Sequence, residues 1–258
     1  MVITLLTDFG DLYPASMKGV ILGIDPAANI IDISHSVPRH DVRAGAFMLM
    51  ICARYFPSGT VHIAVVDPGV GTQRRPIAVR AGSGDSGIHY FIGPDNGLLI
   101  PAARSIGEIG VYEITNKDMF DQNVSSTFHG RDIFAPVGAH ISKGMDIGGI
   151  GELISNFIDL DLGEGKKKED SIEGRVIYID GFGNIVTNIS SDLVDFQPGD
   201  LIKIDNKQVV FQESYGFCKE GESLALTGSH GYLEIAVNKG NASVVFEKKQ
   251  GESIYIYI

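Results

Sequence analysis

The hydrophobic positions of this chain follow two rhythms. Over residues 2–6, 29–33 and 61–66 they form short, β-branched runs. Between those runs, over 16–24 and 41–55, they recur at helical spacing: Val42, Ala46, Leu49, Met50 and Ala53 mark one face of the second segment. Ser16 and Asp41 stand where N-caps are expected, and Pro26 follows the end of the first helix. A strand–helix–strand–helix–strand order predicts a mostly parallel, buried central sheet. Residues 76–81, 89–92 and 111–114 read as further strands, with helices over 98–104 and 133–141.

The helical rhythm then stops. Residues 163–170, GEGKKKED, are charged, contain glycine and hold no apolar side chain, which reads as a linker. Beyond it, short apolar runs over 174–179, 201–204, 209–211, 224–227, 232–237, 243–246 and 253–258 are separated by turn residues. That pattern predicts a small antiparallel barrel or sandwich, of which the barrel is taken as the expectation. The expected fold class is therefore α/β, with an N-terminal α/β domain with a mostly parallel central sheet (1–162), a linker (163–170) and a small C-terminal antiparallel β-barrel domain (171–258).

Composition narrows the function classes. The 258 residues carry a formal net charge of −11, and the one basic run is Lys166-Lys167-Lys168, which argues against a nucleic-acid partner. Cys52 and Cys218 lie far apart and suggest neither a disulfide framework nor a metal site. The longest apolar run, over 44–53, is half a membrane span, and the first residues do not form a signal-peptide pattern. The expectation is a soluble, cytoplasmic protein with no membrane partner.

The candidate chemistry centres on residues 61–75, VHIAVVDPGVGTQRR. A buried strand ends in Asp67 and a Gly/Pro turn, the position where open α/β sheets build their sites. Arg74, seven residues on, can fold back across the turn to Asp67. Such a pair can hold and polarise a small polar molecule; a structural ion pair capping the loop is the other reading. Asp8 occupies the same position after the first strand. His129, in a glycine-containing polar stretch before a predicted helix, is a further candidate. His35, His40, His62, His89 and His140 read as structural or surface residues. Residues 82–87 spell GxGxxG but join two predicted strands, so the dinucleotide fingerprint is rejected. Asp8, Asp32, His35 and Asp67 at strand ends match no compact metal motif, and no metal is expected. Residues 180–184 (DGFGN) and 229–231 (SHG) are polar turns that also suit ordinary hairpins.

Taken together, the segments TDFG (7–10), MKGVI (17–21), DISHSV (32–37), VDPGVGTQRR (66–75), GPDNGLL (93–99), FHGRDIFAP (128–136), DGFGN (180–184) and GSHGYLEIAVNKGNA (228–242) resemble the S-adenosylmethionine hydrolase (adenosine-forming) family. That family is also called S-adenosylmethionine hydroxide adenosyltransferase and is related to the fluorinase and chlorinase enzymes. The resemblance implies hydrolysis of S-adenosyl-L-methionine by attack of water at the ribose 5′ carbon, with no cofactor. It implies a homotrimer with active sites at subunit interfaces. By motif, Asp67, Arg74 and His129 would be the water-activating trio, with the base unassigned. Asp8 would accept from the ribose hydroxyls. Phe128 and Phe182 would supply aromatic surface. Asn184 would read the adenine edge, Asp180 and Ser229 would hold the methionine amine and carboxylate, and Glu234 and Val237 would line the adenine side. The halogenating relatives carry Tyr at the position of Asp67 and Ser at that of Gly130, which favours water over halide here. A non-catalytic adenosine or S-adenosylmethionine binder and a halogenase are the alternatives.

Overall fold

The computed structural model describes residues 1–83 and 87–257, which form two compact units, Met1–Asp161 and Leu162–Ile258. In the first unit the chain runs β1 (Val2–Thr7), α1 (Tyr13–Ile24), β2 (Asn29–Ser34), α2 (Val42–Ala53), β3 (Val61–Val65), β4 (Pro76–Ala81), β5 (His89–Pro94), α3 (Ile100–Ile106), β6 (Ile109–Glu113), α4 (Ala135–Ser142) and β7 (Leu153–Ile154). The strands make one sheet in the order β2-β1-β3-β5-β4-β6-β7. The β2-β1-β3-β5 half is parallel, as the sequence predicts, and β4, β6 and β7 extend it antiparallel. The GxGxxG stretch joins β4 to β5, an antiparallel pair. Residues 84–86 of that stretch lie outside the described residues.

Two neighbours of β1 fix where the site falls. The chain leaves β1 for β2 on one side and returns to β3 on the other, so the connections diverge at the C-terminal ends of β1 and β3. Thr7 of β1 pairs with Val65 of β3, which delivers Asp8 and Asp67 to the same edge of the sheet. All five residues of β3 are buried. Ile3, Leu5 and Ile63 share a core with Met17 and Ile21 of α1 and with Val137 and Ile141 of α4. Because strand side chains alternate, the other face is left to α2 and α3, which pack on each other. Burying each such Leu, Ile or Phe contributes roughly 1.5–3 kcal/mol.

Helix starts follow local chemistry. Asp41 caps α2 as expected, accepting from Ala44 N at 2.9 Å. Ser16 is not the cap of α1. The helix begins earlier, with Pro14 in its first turn, where a missing N–H costs nothing, and Ser16 Oγ donates to Tyr13 O inside it. Among the described residues, no helix is long and apolar enough to cross a membrane.

The second unit contains β8 (Lys166–Lys167), β9 (Ser171–Ile179), β10 (Ile185–Ser190), β11 (Leu201–Ile204), β12 (Lys207–Phe211), β13 (Ser223–Thr227), β14 (Tyr232–Val237), α5 (Ala242–Val245) and β15 (Ser253–Tyr257). The sheet order is β10-β14-β13-β12-β11-β15-β9-β8, and pairing of β9 with β10 closes seven strands into a barrel. All pairings are antiparallel except β12 with β13. Lys166 and Lys167, in the segment read as a linker, form a short strand on β9. Residues 243–246, predicted as a strand, fall instead on α5 and, at Phe246, on its C-cap, because Asn241 accepts from Val244 N at 3.0 Å and caps a turn of helix.

Candidate active site

The loop after β3 turns tightly on its own groups. Thr72 donates to Gly69 O through both its backbone N–H, at 3.2 Å, and its hydroxyl, at 2.7 Å. Gly71 has φ +74°, and a Cβ there would lie 2.1 Å from Ser126 O. Glycine thus permits the loop to seat directly on the segment that leads to His129.

Arg74 then folds back, as its spacing from Asp67 predicts. Its Nε donates to Asp67 Oδ1 at 3.2 Å and its Nη2 to Asp67 Oδ2. The same Nη2 donates to His129 Nδ1 at 3.0 Å, and the guanidinium lies 5.3 Å from the centre of the Phe134 ring. The side chains of Asp67 and Arg74 are only 3% and 8% exposed. Arg74 Nη1 is buried and has no hydrogen-bond partner among the described residues.

His129 is held from its C-terminal side. It precedes a π-helical turn, Gly130–Phe134, that runs into α4. Such turns re-aim side chains at functional sites. Within it the fully buried Asp132 accepts from Ser125 N at 2.8 Å and pairs with Arg131, closing the loop behind His129. Burial, and next the adjacent Arg74 cation, lower the His129 pKa from its ordinary value. An arginine only donates, so His129 Nδ1 is the acceptor and the neutral ring carries its proton on Nε2.

Asp67 lines a cleft of about 530 Å³ together with Asp8, Phe9, Tyr13, His35, Arg39 and His40. Asp8 Oδ2 accepts from His40 N at 2.9 Å. Phe128 packs edge-on against Phe9 and Tyr13, at centroid distances of 5.7 and 5.5 Å. Reading His35 and His40 as only structural or surface residues missed their place in this cleft. His35 Nδ1 hydrogen-bonds Thr7 Oγ1 at 2.9 Å and its Nε2 lies 3.1 Å from Asp32 Oδ1. The usable signal was His35 lying directly beyond β2, at the end of a parallel strand. Among the described residues no group of three His, Cys, Asp or Glu side chains is arranged to hold a metal ion.

The barrel unit has its own cleft of about 600 Å³, lined by Asp180, Phe182, Asn184, Tyr215, Val237 and Lys239 among others. Asp180 organises the turn that enters it. Its Oδ1 accepts from the backbone N–H groups of Phe182 and Asn184, both at 2.9 Å, and its Oδ2 accepts from Asn184 Nδ2 at 3.0 Å. Asn184 Oδ1 is not engaged by Asp180, and Phe182 is 81% exposed at the rim. Glu234 is buried behind the wall rather than in it: it accepts from Tyr215 OH at 2.6 Å and lies 3.3 Å from His230 Nε2. Burial and Glu234 together push the Tyr215 hydroxyl pKa up. Ser229 sits in the exposed turn before β14, outside the lining. Tyr215 and Lys239 were not singled out from the sequence; Lys239 stands in the polar turn Asn238-Lys239-Gly240 after β14, which was the usable signal, whereas Tyr215 carries none.

An α/β unit with two carboxylates at the ends of adjacent parallel strands, in one chain with a closed seven-stranded barrel, defines a two-unit protein with a polar small-molecule site at the sheet edge. The comparisons are specific about which such proteins it is similar to. Residues 3–151 match the SAM hydroxide adenosyltransferase N-terminal domain and residues 174–255 the C-terminal domain, so the chain belongs to that family. An (R)-S-adenosyl-L-methionine hydrolase of Methanocaldococcus jannaschii is 40% identical, covering 94% of this chain and 90% of the relative. One of Salinispora tropica is 37% identical, covering 98% and 97%. A fluorinase of Actinoplanes sp. is 28% identical over 99% of this chain and 97% of its own. The crystal structure of an uncharacterized conserved protein from Thermotoga maritima superposes with a TM-score of 0.90 at 38% identity, covering 99% of this chain and 100% of that one.

Proposed function

We propose that this protein hydrolyses S-adenosyl-L-methionine to adenosine and L-methionine. The observation that carries the reading is the bridge made by one buried guanidinium between Asp67 and His129, beside the cleft that also holds Asp8. Two relatives of 37% and 40% identity bear the hydrolase name, and both are closer to this chain than the fluorinase is.

In this reading water attacks the ribose 5′ carbon and the carbon–sulfur pair of electrons stays on sulfur, which becomes the neutral thioether of methionine. The sulfonium leaves without protonation, so the protein's task is to align and activate water. His129 has no free lone pair in the tautomer that Arg74 imposes, so its Nε2–H serves as a donor that orients the water oxygen. The proton acceptor is then Asp67, whose carboxylate keeps lone pairs beyond the two that Arg74 engages. Arg74 Nη1, buried without a partner among the described residues, is the donor that stabilises developing hydroxide. Asp8 takes the ribose hydroxyls, with Phe128 nearby as aromatic surface. Asp180, Phe182, Asn184 and Val237 serve the adenine and methionine ends from the barrel cleft, Ser229 does so from the turn before β14, and Glu234 acts from behind the wall through Tyr215. We further propose a homotrimer with active sites at subunit interfaces, consistent with the exposed Phe182 ring; a monomer by sedimentation would refute it.

The test is to incubate the protein with S-adenosyl-L-methionine, with and without chloride, and resolve the products by chromatography and mass spectrometry. Equimolar adenosine and methionine, indifferent to chloride, is the expected result. A 5′-chloro-5′-deoxyadenosine product would mean halogenation. Tight binding without product would mean a binding protein.

A further inference from the structure

The Gly93-Pro94-Asp95-Asn96-Gly97 turn, at the end of β5, touches the reacting loop at both of its ends. Asn96 Nδ2 donates to Val66 O at 2.8 Å, the carbonyl of the peptide that joins Val66 to Asp67. Asn96 Oδ1 accepts from Leu98 N at 3.1 Å, which fixes the amide with its donor toward Val66. At the other end, Asp95 N donates to Arg75 O at 3.0 Å. Asp95 Oδ2 accepts from Arg75 Nε and Nη2 at 3.1 and 2.6 Å, and Oδ1 accepts from Ile158 N at 2.8 Å. The residue before Asp67 and the residue after Arg74 are therefore held by adjacent positions of one turn.

The turn itself is seated where side chains do not fit. A Cβ on Gly93 would lie 2.2 Å from Ala64 O, and one on Gly97, at φ +90°, 2.5 Å from Leu160 Cβ. Asp95 is 4% exposed and the Arg75 side chain 28%, so the pair is part-buried, and its two-pronged, charge-assisted bonds are directional.

We propose that this turn clamps the 67–74 segment, and that Asn96 and Asp95 are positioning residues for the hydrolysis. They fix the span across which Arg74 Nη2 reaches both Asp67 and His129 Nδ1. Neither acts on the trio side chains directly; Asn96 works through the Val66 carbonyl and Asp95 through Arg75. The inference rests on the hydrolase reading, and its test separates the two.

Asn96→Ala and Arg75→Lys are each prepared alone and on Arg74→Ala. For folded Asn96→Ala, kcat falls by about 10²-fold, the cost of a misplacement near 1 Å. Its KM stays within about threefold, because substrate contacts are untouched. Arg75→Lys keeps a charge on Asp95 but loses the fork, and kcat falls less. On Arg74→Ala each change lowers the residual rate by less than it does alone, since the reach of Arg74 is already lost and only the placement of Asp67 remains to be disturbed. The His129 ring, followed by NMR titration in Asn96→Ala, moves back toward the ordinary histidine pKa as Arg74 drifts from it. An unchanged kcat in folded Asn96→Ala, or equal losses in both backgrounds, overturns the clamp. If the wild type makes no adenosine the hydrolase reading fails, and the His129 titration still decides the clamp: an unmoved titration refutes it.

Discussion

The two clefts are built in opposite ways. In the sheet unit, Asp67, Arg74 and His129 come from two loops whose residues are up to 62 positions apart, and they meet because parallel strands and a π-helical turn aim them at one point. In the barrel unit, Asp180, Phe182 and Asn184 lie on one hairpin turn and are organised by a single carboxylate. The first arrangement is a buried charge cluster that depends on the whole unit. The second is a local turn that depends on itself. Under the proposed function, the groups assigned to the reacting atom are the ones fixed by tertiary structure, and those assigned to ligand recognition are the ones carried by a turn.

Arg74→Ala breaks this contrast most severely. It leaves the Asp67 carboxylate buried and uncompensated, and should cost about 3–5 kcal/mol of stability. Turnover should drop by about 10²–10³-fold from loss of the donor alone. Steady-state kinetics and thermal unfolding check both, and a stable variant with normal kcat would show that the cluster is ornamental. Asp180→Ala should be milder and different in kind. It removes three hydrogen bonds from an exposed turn, about 1–3 kcal/mol in all. KM should rise while kcat moves little; a kcat loss at unchanged KM would put Asp180 with the chemistry.

The smallest effect is that of mild acid. His62, fully buried between Thr4 and His89, has its pKa lowered to about 3 by burial first and by His89 second. The pKa values of His89, His129 and His140 are lowered too, each mainly by burial. All four belong to the sheet unit. Below pH 6.5 the unfolded chain takes up protons that the native unit refuses, so stability falls as pH drops, for His62 over the window from 6.5 to about 3. Differential scanning calorimetry between pH 7 and 5 should lower the sheet unit's transition first. Movement of the barrel transition alone would contradict this origin.

The parallel half of the sheet was legible because β1, β2 and β3 are continuous apolar runs and α2 carries a clear helical stripe with an Asp cap. The barrel's closure was less so. Residues 185–190, IVTNIS, mix polar and apolar side chains that are almost all buried, so the strand that pairs with both β9 and β14 carries no alternation to read. Residues 243–246 misled because valines favour strands, while the cap that decided the matter, Asn241, acts over four residues only. Asp67 stood out by its strand-end position, Arg74 by its spacing from Asp67 and His129 by its polar, glycine-containing setting; their grouping came from the family resemblance, and their convergence on one guanidinium was not visible in spacing alone. Tyr215 escaped because its role depends on the buried Glu234, nineteen positions away.

The measurement that tests the central claim most directly is single-turnover release of adenosine from S-adenosyl-L-methionine by Asp67→Asn, with substrate affinity measured by calorimetry on the same sample. The variant keeps the shape and an acceptor for Arg74 but cannot take a proton. The account predicts retained binding and a chemical step slowed by about 10²-fold or more. Adenosine release at the wild-type rate with intact binding would contradict it and move the base elsewhere.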